Sequence, residues 1–357
     1  MTSDHSNRNV LITSIGRRTY LAEYCHEALD GTGQVIGVDA DATAPALAAC
    51  DKAHTLPRIA DPGYINALID IIRREDAALV FSVNDLELML LAEHRERIEA
   101  TTGATLYVPD VATARICADK WATYEFATAL GIPVPQTYRT VETAIEALRA
   151  GEVTPPFIVK PRWGSGSLGV LRVEHAQDLA AEVDRCSDAT SGYAGGTLDA
   201  SGSVLIQEYL AGREYGVDVL FSKGTEVLGF AAKQKLAMRA GETDKAVTVT
   251  ADPFLVTINV IGAHLAHRGN LDCDFIEHRG TLHLLEMNPR FGGGYPFTHE
   301  AGANHVRMLL DDATGRPQTS YTYKIGETYA KCDRIIRVSD PALPPHQGTP
   351  LTLRNGG

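Results

Sequence analysis

The first 110 residues alternate between short apolar runs and segments with helical spacing, and this alternation constrains the fold more than any other feature. Three apolar runs predict buried strands: NVLITS at residues 9–14, QVIGVDAD at 34–41 and AALVFSVND at 77–85. INALIDIIRRED, at 65–76, has the apolar spacing of an amphipathic helix. Strands that alternate with helices are typical of a parallel sheet. We therefore predict a parallel α/β domain over residues 1–110.

Gly16 lies at the turn between the first predicted strand and a helix-like stretch that runs through Leu29. Glycine at such a turn has two interpretations, a dinucleotide-binding loop or a tight structural turn. The full glycine-rich fingerprint of a dinucleotide-binding loop is absent from this segment. The structural turn is the preferred interpretation, and a second nucleotide site is the alternative.

The length and composition are those of an ordinary globular protein made of two or three packed units. The chain has 357 residues, of which 44% are hydrophobic and 22% are charged, and its net charge is −12. This acidic balance argues against a nucleic-acid backbone as partner, because such a partner selects basic surfaces. A local basic cleft for a small anionic ligand remains compatible with it.

The cysteines and the apolar runs favour a reducing compartment and no membrane anchor. The six cysteines are scattered without the spacing of zinc ligands or of a disulfide framework. The N-terminal residues MTSDHSNRN contain no apolar signal-peptide core, and no apolar run reaches the length of a membrane span. We therefore predict a cytoplasmic protein with neither a membrane nor a nucleic acid as partner.

The segment PPFIVKPRWGSGSLGV, at residues 155–170, is the strongest local signal for ligand binding. An apolar strand delivers Lys160, and the loop that follows carries three glycines: Gly164, Gly166 and Gly169. Glycines let backbone N–H groups approach a ligand closely, and a row of such groups binds anions. No GKS or GKT follows, which excludes a Walker A loop. The pattern predicts a hairpin flap over phosphates, with a glycine-rich turn beside a solvated lysine as the alternative.

A second segment, LIQEYLAGREYGVDVL at residues 205–220, predicts a strand whose end contacts a planar ligand. Backbone donors and acceptors at Glu208, Tyr209 and Leu210 would face a planar ring. Glu214 follows six residues after Glu208 and is placed to accept hydrogen bonds from ribose hydroxyls. Solvated glutamates at a strand end are the alternative interpretation.

The third segment, LDCDFIEHRGTLHLLEMNPRFGGGYPF, predicts a β-hairpin that carries acidic side chains. Glu286, Asn288 and Arg290 are spaced by two, so they share one face of an extended chain. The hairpin register decides whether Asp274 joins them. We predict a three-residue loop at 279–281, which pairs Asp274 directly with Glu286. A two-residue loop would place the two carboxylates on opposite faces.

Two carboxylates and an amide oxygen on one face form a hard-oxygen site suited to Mg²⁺ shared with substrate phosphates. Carboxylates packed this closely repel each other, by about 4 kcal/mol at ~4 Å and an effective dielectric of about 20, so a cation is the natural compensator. Arg290 would stand beside the metal and stabilise oxyanion charge during phosphate transfer. A surface strand with a structural Arg–Glu pair is the alternative.

Taken in order, the three segments resemble the ATP-grasp superfamily. The resemblance is strongest to single-module enzymes similar to half of a carbamoyl-phosphate synthase large subunit, a branch that includes amino-acid ligases of the pyrrolysine-biosynthesis type and dipeptide-forming enzymes. It covers roughly residues 9–310. It implies an α/β fold, with an N-terminal parallel α/β (pre-ATP-grasp) domain followed by an ATP-grasp fold of two α+β subdomains. The implied domains are residues 1–110, 111–205 with the phosphate flap, 206–318 with the metal hairpin, and 319–357 as a C-terminal tail module.

The resemblance also implies roles for individual residues of this sequence. The implied nucleotide-binding residues are Lys120, Lys160, Gly164, Ser165, Gly166, Ser167, Gly169, Glu208, Tyr209, Leu210 and Glu214. The implied metal ligands are Asp274, Glu286 and Asn288, and the implied catalytic residues are Arg290 and Lys160. The flap would cover the β- and γ-phosphates, and Glu214 would bind ribose. Relatives often carry Glu or Gln where Asp274 stands, so direct and water-mediated ligation both stay open for this shorter side chain.

The acceptor pocket is implied to lie between the residues before the metal hairpin and the glycine run after it. Its candidate substrate-binding residues are Lys235, Arg239, Gly293, Gly294 and His299. Arg239 is the preferred ligand for a substrate carboxylate, because a guanidinium pairs with a carboxylate through two hydrogen bonds. Lys235 and His299 are weaker candidates. A lone histidine such as His299 is more often structural or solvated than catalytic.

The implied function is that of an ATP-dependent carboxylate–amine ligase, which forms an amide or peptide bond through an acyl phosphate, with amino acids as substrates. ATP and two Mg²⁺ ions are the implied cofactors, with Mn²⁺ as an alternative ion. The partners are a small-molecule carboxylate and an amine, and a homodimer is the assembly considered. The alternatives are bicarbonate-type carboxy- or carbamoyl-phosphate chemistry and a non-catalytic, ATP-binding regulatory protein.

Overall fold

The structure, a computed structural model, describes residues 8–164, 166, 168–190, 202–318 and 321–338. Two predicted phosphate contacts, Ser165 and Ser167, lie outside the described residues, as do residues 339–357 of the predicted tail module. In the part of the chain that is described, no helix has both the length and the apolar character that a membrane span requires.

Residues 9–106 form a parallel α/β unit, as the alternation of strands and helices predicts. Its elements are β1 (Asn9–Thr13), α1 (Thr19–Leu29), β2 (Val35–Asp39), a 3₁₀ turn (Pro45–Ala49), β3 (Lys52–Thr55), α2 (Tyr64–Arg74), β4 (Ala77–Ser82), α3 (Asp85–Thr102) and β5 (Thr105–Leu106). The strands pair in parallel in the order β3-β2-β1-β4-β5. The carboxyl ends of β1 and β4 therefore border a crevice, the usual position of ligands in such sheets.

Strand β1 is buried on both faces, which explains its continuous apolar run. Val10 and Ile12 pack in one cluster with helix α1, and Leu11 packs on the other face in a cluster with α2 and α3. Helices on both faces are the normal cover of a parallel sheet. The central strands of this unit could therefore be recognised from hydrophobicity alone.

Polar side chains fix the carboxyl edge of this sheet. The buried carboxylate of Glu87 accepts hydrogen bonds from Thr13 at 2.8 Å and from Ser82 at 2.7 Å, so it joins the ends of β1 and β4. At the neighbouring turn, the N–H of Gly16 donates to Asp39 Oδ2 at 2.8 Å. A protein carboxylate thus holds the turn amide that a dinucleotide phosphate would need, which supports the structural-turn interpretation of Gly16.

Two helices and a small antiparallel sheet follow this unit. The elements are α4 (Val111–Ala118), α5 (Lys120–Ala129), β6 (Thr137–Tyr138), α6 (Val141–Ala150), β7 (Phe157–Pro161), β8 (Leu171–Val173), a 3₁₀ turn (Ala176–Asp178), α7 (Leu179–Thr190) and β9 (Val204–Glu208). The strand order is β6-β9-β7-β8. Phe157 and Val159 of β7 pack with residues of α6 and α7. Strand β9 crosses residue 205, where the sequence predicts a domain boundary, and the boundaries stay a prediction.

A larger antiparallel sheet forms the last unit. Its elements are β10 (Arg213–Phe221), β11 (Val227–Arg239), β12 (Glu242–Val249), a 3₁₀ turn (Asp252–Phe254), α8 (Leu255–His264), β13 (Gly269–His278), β14 (Thr281–Asn288), α9 (Tyr295–Glu300), α10 (His305–Ala313) and β15 (Thr328–Ala330). Among the described residues the strand order is β14-β13-β10-β11-β12-β15. Strand β15 lies within the predicted tail module and pairs with β12.

The two faces of the larger sheet have opposite chemistry. Val217, Cys273 and Met287 belong to the apolar cluster that also contains Ile258 of α8. Side chains alternate along each strand, so the residues between them face the other way. That second face carries Asp274 and the other charged side chains of the predicted site.

The hairpin β13–β14 has the predicted pairing but not the predicted loop. Asp274 lies opposite Glu286, which confirms the predicted pairing. The predicted three-residue loop at 279–281 is wrong, because His278 pairs with Thr281 and leaves a two-residue turn. With a regular ladder this turn would place the two carboxylates on opposite faces.

A β-bulge reconciles the short turn with the observed pairing. Phe275 pairs with Leu284. The next pair is Asp274 with Glu286, so Leu285 is an extra residue on β14. A bulge of this kind shifts the register by one residue and re-aims the side chains beyond it. The two carboxylates therefore share a face for a reason that differs from the predicted one.

Candidate active site

Two lysines of the smaller sheet's unit, of which Lys160 is buried and Lys120 is half-buried, face the hairpin β13–β14 of the larger sheet, the metal hairpin. Lys160, in β7, is buried and donates from Nζ to Gln207 Oε1 at 2.9 Å. Burial and repulsion from Lys120 lower the pKa of Lys160 to about 8, whereas Glu286 acts in the opposite direction. Burial raises the pKa of Glu286, but Lys120, Lys160, the Asn288 amide and Lys235 together lower it by more. The three groups therefore share one site.

The start of α5 positions Lys120. Asp119 caps this helix, since its Oδ1 accepts a hydrogen bond from Trp121 N at 2.9 Å. The same carboxylate accepts two hydrogen bonds from Arg162, at 2.7 and 2.6 Å, which ties the helix start to the glycine-rich segment. Lys120 Nζ donates to Gly164 O at 2.5 Å. This lysine thus contacts the base of the predicted flap.

The described glycines of the flap have backbone conformations that suit glycine. Gly164, Gly166 and Gly169 have φ values of 106°, 70° and 74°. Successive N–H groups in such turns form anion-binding concavities. The flap also leans on the hairpin β11–β12, because a Cβ atom on Gly241 would lie 2.2 Å from Gly166 O. The predicted phosphate cover is therefore in contact with the larger sheet.

The predicted adenine hinge follows directly from β9. Glu208 N donates to Gln136 O at 2.9 Å, and Glu208 Oε1 accepts from Gln136 N at 2.8 Å. The guanidinium of Arg172 lies 4.3 Å from the centroid of the Tyr209 ring, and Leu210 is buried. The Glu208 side chain thus fixes the hinge itself, and recognition of adenine by the hinge backbone stays a prediction.

The predicted metal ligands Asp274, Glu286 and Asn288 lie on one face of the metal hairpin, the metal face. Asp274 is opposite Glu286, and Asp272 is opposite Asn288. Asn288 Nδ2 donates to Glu286 Oε1 at 3.4 Å. Within the described residues, no group of three or more His, Cys, Asp or Glu side chains forms a metal site by itself. The carboxylates of Asp274 and Glu286 and the amide oxygen of Asn288 are hard-oxygen donors of the kind that Mg²⁺ takes together with phosphate oxygens and water.

Lys235 balances the acidic side chains of this face. Its Nζ lies 2.7 Å from Asp274 Oδ1. Burial lowers the pKa of Lys235, but Asp274, Asp272 and Glu214 together raise it by more. Burial and Glu286 raise the pKa of Asp274, against the lowering effect of Lys235. Glu214, the predicted ribose ligand, thus lies within electrostatic reach of the metal face.

Asp272 was not among the predicted site residues, although it lies opposite Asn288. Burial and the nearby Asp274 raise the pKa of Asp272 to about 7. Its Oδ2 is 3.9 Å from Arg290 Nη1. A Cβ atom on Gly292 would lie 2.1 Å from the same oxygen, so glycine is required where the chain passes the carboxylate. Asp272 precedes Asp274 by two positions, which places both side chains on the same face of a strand, and this spacing was the sequence signal for Asp272.

Arg290 connects the metal hairpin to the parallel unit. Its Nη2 lies 2.7 Å from Asp85 Oδ2, at the first residue of α3. Burial lowers the pKa of Arg290, but Asp85, Asp272 and Glu286 together raise it by more. The guanidinium therefore stays charged. Asp85 was not a predicted site residue, and its position directly after the third predicted strand was the available signal.

A buried ion pair supports the glycine run behind the metal face. Lys233 Nζ lies 2.6 Å from Asp218 Oδ2, and the hydroxyl of Thr298 donates to the same oxygen at 2.6 Å. A Cβ atom on Gly294 would lie 2.5 Å from Lys233 Cε. Gly294 thus lets α9 begin directly against the lysine. Lys233 was not a predicted site residue. It lies two positions before Lys235 in β11, on the same face of the strand, and this spacing was the sequence signal for it.

Arg239 lies near the tip of the hairpin β11–β12 and is half exposed. It is 2.8 Å from Asp244 and 2.7 Å from Asp333, the second a residue of the predicted tail module. Both aspartates raise its pKa. The structure therefore places this predicted carboxylate ligand in two ion pairs within the chain.

The remaining predicted substrate residues lie beside α9. His299 is buried, and its ring is stacked on Tyr24 with centroids 3.5 Å apart. Burial lowers the pKa of His299 to about 4, so the ring is neutral. A Cβ atom on Gly293 would lie 2.8 Å from Glu242 Cδ. His299 thus joins two units through packing, whereas Gly293 borders a charged side chain.

Two family models match successive parts of the chain. Residues 10–106 match the PylC-like N-terminal domain, and residues 117–294 match the ATP-grasp domain. The first range coincides with the parallel unit. The second contains both lysines, the flap, the hinge and the metal hairpin.

Two known proteins are similar to this chain over most of its length. The carbamoyl phosphate synthase large chain of Thermomicrobium roseum is 29% identical over 242 residues, which are 64% of this chain and 21% of that protein. The 3-methyl-D-ornithine–L-lysine ligase of Methanosarcina acetivorans is 23% identical over 78% of this chain and 66% of that protein. The chain thus spans about a fifth of the first relative and two thirds of the second.

The fold also resembles solved structures. The biotin carboxylase domain of Hydrogenobacter thermophilus 2-oxoglutarate carboxylase, in complex with MgADP, ADP and bicarbonate, superposes with a TM-score of 0.68 at 18% identity. The match covers 90% of this chain and 73% of that chain, and at this identity it concerns the fold. With the parallel unit, the flap and the metal hairpin matched in this order, the chain belongs to the ATP-grasp family and carries a PylC-like N-terminal domain.

Proposed function

We propose that this protein is an ATP-dependent ligase that joins a carboxylate to an amine through an acyl phosphate. The observation that carries the proposal is a single charged site built from two sheets, with Lys120 and Lys160 on one side and the carboxylates of the metal hairpin on the other. Such an arrangement suits phosphoryl transfer, because catalysis of that step is mostly positioning and charge neutralisation.

The nucleotide is placed between the smaller sheet and the metal hairpin. Lys120, Lys160 and the flap glycines hold the phosphates, the hinge at 208–210 holds adenine through its backbone, and Glu214 accepts hydrogen bonds from ribose. The contact between Lys120 and Gly164 supports this placement, since it brings the lysine to the base of the flap.

Mg²⁺ is the cation proposed for the metal face, as two ions shared with the phosphates, and Mn²⁺ is an alternative ion. The residues that would hold it are Asp274, Glu286 and Asn288. When bound, Mg²⁺ supplies neutralisation of the charge on the transferring phosphoryl group. The chemistry of the three side chains supports a cation there, because two carboxylates and an amide oxygen on one face are hard-oxygen donors.

In the proposed reaction, a carboxylate oxygen attacks the γ-phosphorus of ATP, and ADP leaves. The amine then attacks the carbonyl carbon of the acyl phosphate, loses a proton, and inorganic phosphate leaves. Lys160 and the flap amides stabilise the transferring phosphoryl group, and Arg290 stabilises the oxyanion that develops beside it. The flap excludes water, which would otherwise hydrolyse the acyl phosphate.

Amino acids are the proposed substrates. The 3-methyl-D-ornithine–L-lysine ligase, to which this chain is similar over 78% of its length, is named for the joining of two amino acids. Pocket residues set the choice of substrate, and a shared scaffold does not fix them. A cytoplasmic location and a homodimeric assembly also remain predictions from the sequence.

Bicarbonate phosphorylation is the second candidate. A carbamoyl phosphate synthase is among the relatives, and the biotin carboxylase domain of similar fold holds bicarbonate. A regulatory ATP-binding protein is less well supported, because nucleotide binding alone does not need Arg290 buried between Asp85 and Asp272.

Incubation with MgATP and pairs of amino acids tests the proposal. ADP and phosphate should form in equal amounts together with a ligated product that mass spectrometry identifies. Arg290→Ala should lower turnover while ATP affinity stays within a few-fold, the pattern of an interaction made mainly in the transition state. Bicarbonate-dependent turnover would favour the second candidate. ATP binding without turnover on any carboxylate–amine pair would contradict the ligase and favour the regulatory protein.

A further inference from the structure

Two arginines from different units meet at one backbone carbonyl beside the metal face. Arg18, in the turn before α1, donates from Nη1 to Phe291 O at 2.9 Å. Arg290 donates from its own Nη1 to the same oxygen at 3.2 Å. Two guanidinium groups at such short range repel each other, and a neutral carbonyl compensates them only in part. Their junction is therefore a favourable place for an anion.

The nearby carboxylates leave the Arg18 side of this junction positive. Arg290 has Asp85 at 2.7 Å. Arg18 is 3.9 Å from Glu242 Oε1, which is beyond hydrogen-bond distance. Glu242 is itself held by Lys331 at 3.0 Å. Arg18 is only 19% exposed, so solvent screens its charge weakly.

The hydroxyl of Tyr20 lies at the same junction. Burial raises the pKa of Tyr20, Arg18 lowers it through its charge and a hydrogen bond to the hydroxyl, Glu242 raises it and Arg290 lowers it, so these groups lie near the hydroxyl. The oxygen is buried, and its proton has no acceptor among the described residues. The Nε atom of Arg290 is also buried without a partner there. Buried donors that lack an acceptor are rare and call for a specific explanation.

We propose that Arg18, Tyr20 and Arg290 form a pocket that binds the carboxylate group to be phosphorylated. This inference rests on the proposed ligase function and adds the side chains that hold its first substrate. The shared chemistry is a planar anion with two oxygens, which either a carboxylic acid or bicarbonate provides. Its oxygens accept hydrogen bonds from the Tyr20 hydroxyl, Arg290 Nε and the outer nitrogens of Arg18. The pocket lies beside the metal face, where the γ-phosphate is placed.

Arg239 is less suited to this task than the sequence pattern predicts. It donates hydrogen bonds to Asp244 at 2.8 Å and to Asp333 at 2.7 Å. A substrate carboxylate would have to displace these acidic side chains. A carboxylate that binds at Arg18 and Tyr20 accepts hydrogen bonds from these side chains, and no ion pair of hydrogen-bond length has to break.

Tyr20→Phe tests the pocket, and Tyr138→Phe is the matched control. Both hydroxyls are buried without an acceptor among the described residues, but Tyr138 lies in β6 of the smaller sheet. Neither hydroxyl donates a hydrogen bond to a described residue, so both changes should lower the Tm little and by similar amounts. With hydroxylamine as the amine, hydroxamate formation reports carboxylate activation alone. Tyr20→Phe should raise the KM for the carboxylate roughly tenfold, the loss of one charge-assisted hydrogen bond, and leave the KM for ATP unchanged.

A second measurement does not depend on turnover. The Tm is recorded with sodium acetate or sodium bicarbonate, each against sodium chloride at equal ionic strength. A bound anion stabilises the folded state, so at least one of the two should raise the Tm of the wild type and of Tyr138→Phe more than that of Tyr20→Phe. The salt that does so identifies the source of the anion.

The two measurements separate failure of the pocket from failure of the ligase. A wild-type carboxylate KM and a wild-type rise in Tm for Tyr20→Phe would overturn the pocket. Turnover by no carboxylate, together with a Tyr20-dependent rise in Tm, would overturn the ligase and leave the pocket in place as an anion site.

Discussion

Arg290 Nη2 and Asp85 Oδ2 lie 2.7 Å apart, and this ion pair joins the end of the metal hairpin to the first turn of α3. The two residues are separated by 205 positions in the sequence. On its other side, Arg290 Nη1 is 3.9 Å from Asp272 Oδ2. The orientation of the arginine therefore depends on contact between the parallel unit and the larger sheet, and not on the hairpin alone.

Asp85→Asn should lower kcat by roughly 10- to 100-fold and leave ATP affinity within a few-fold, because a small misplacement of a positioned group has effects of this size. The amide keeps the volume of the side chain and removes the charge that orients Arg290. Asp30→Asn, at an exposed residue after α1, is the control for the same chemical change. Steady-state kinetics and an ATP titration measure the effect. Equal kcat values for the two variants would argue against the positioning role.

Glu286→Gln should shift the Mg²⁺ concentration for half-maximal turnover upward by at least about tenfold, since the variant loses a charged oxygen donor of the metal face. High Mg²⁺ should restore part of the activity. Glu277→Gln makes the same change on the partner strand, where the carboxylate is 3.3 Å from Arg213, and should leave the Mg²⁺ dependence unchanged. An unaltered Mg²⁺ titration for Glu286→Gln would remove this residue from the metal site.

The parallel unit could be predicted because its strands are buried on both faces. The run predicted at residues 9–14 is β1 at Asn9–Thr13, and the run at 77–85 contains β4 at Ala77–Ser82. A strand covered by helices on both sides needs a continuous apolar sequence, which is visible without knowledge of the fold.

The shared face of Asp274 and Glu286 could be predicted, but the geometry that creates it could not. The spacing of two from Glu286 to Asn288 fixes their common face on an extended strand. The sequence gives no sign of the bulge at Leu285, because leucine is equally compatible with a regular strand. The predicted odd loop and the observed bulge give the same register by different routes.

Side chains that reach the site by packing between units could not be predicted from local pattern. Asp85, Arg18 and Tyr20 come from the parallel unit and meet the glycine run only in the folded chain. The pairing of Arg239 with Asp333, across 94 positions, is of the same kind. A local sequence window identifies such residues as charged or aromatic and gives no information about their partners.

The affinity for ATP should weaken as pH rises above about 8, because Lys160 has a pKa of about 8 in the free protein. Phosphates placed beside the lysine favour its charged form, so ATP binding takes up a proton in this range. The dissociation constant should then rise by up to about tenfold per pH unit. Calorimetry in buffers with different ionisation enthalpies measures the proton uptake directly.

The same lysine should make the free energy of unfolding depend on pH. Its folded pKa lies below the unfolded value of ~10.4, so between about pH 8 and 10 the unfolded state binds more protons and this group's contribution to stability rises with pH. Lys160→Arg should flatten both pH dependences, since a guanidinium stays charged. Lys52→Arg, at a half-exposed lysine that pairs with the buried Glu75, should leave them unchanged. A steep pH dependence that persists in Lys160→Arg would assign the titration to another group.

Gly241 should limit how far the flap can close. It has a φ of 78° in the turn between β11 and β12, and a Cβ atom there would lie 2.2 Å from Gly166 O. Gly280 is a matched control, because it has a φ of 79° in the turn between β13 and β14 and an added Cβ would meet nothing within 4 Å. Alanine at either position adopts a left-handed conformation at a cost of about 1–2 kcal/mol. The two variants share this cost, and Gly241→Ala must in addition displace the Gly166 carbonyl.

Only Gly241→Ala should alter the coupling of ATP consumption to product formation. A flap held away from the site admits water, and water competes with the amine for the acyl phosphate. Gly241→Ala should release more phosphate than ligated product, whereas Gly280→Ala should keep the two equal. The ratio of phosphate to product, with the Tm of both variants, makes this measurement independent of any general loss of folded protein. Equal ratios in the two variants would mean that the contact between Gly241 and Gly166 does not control access of water.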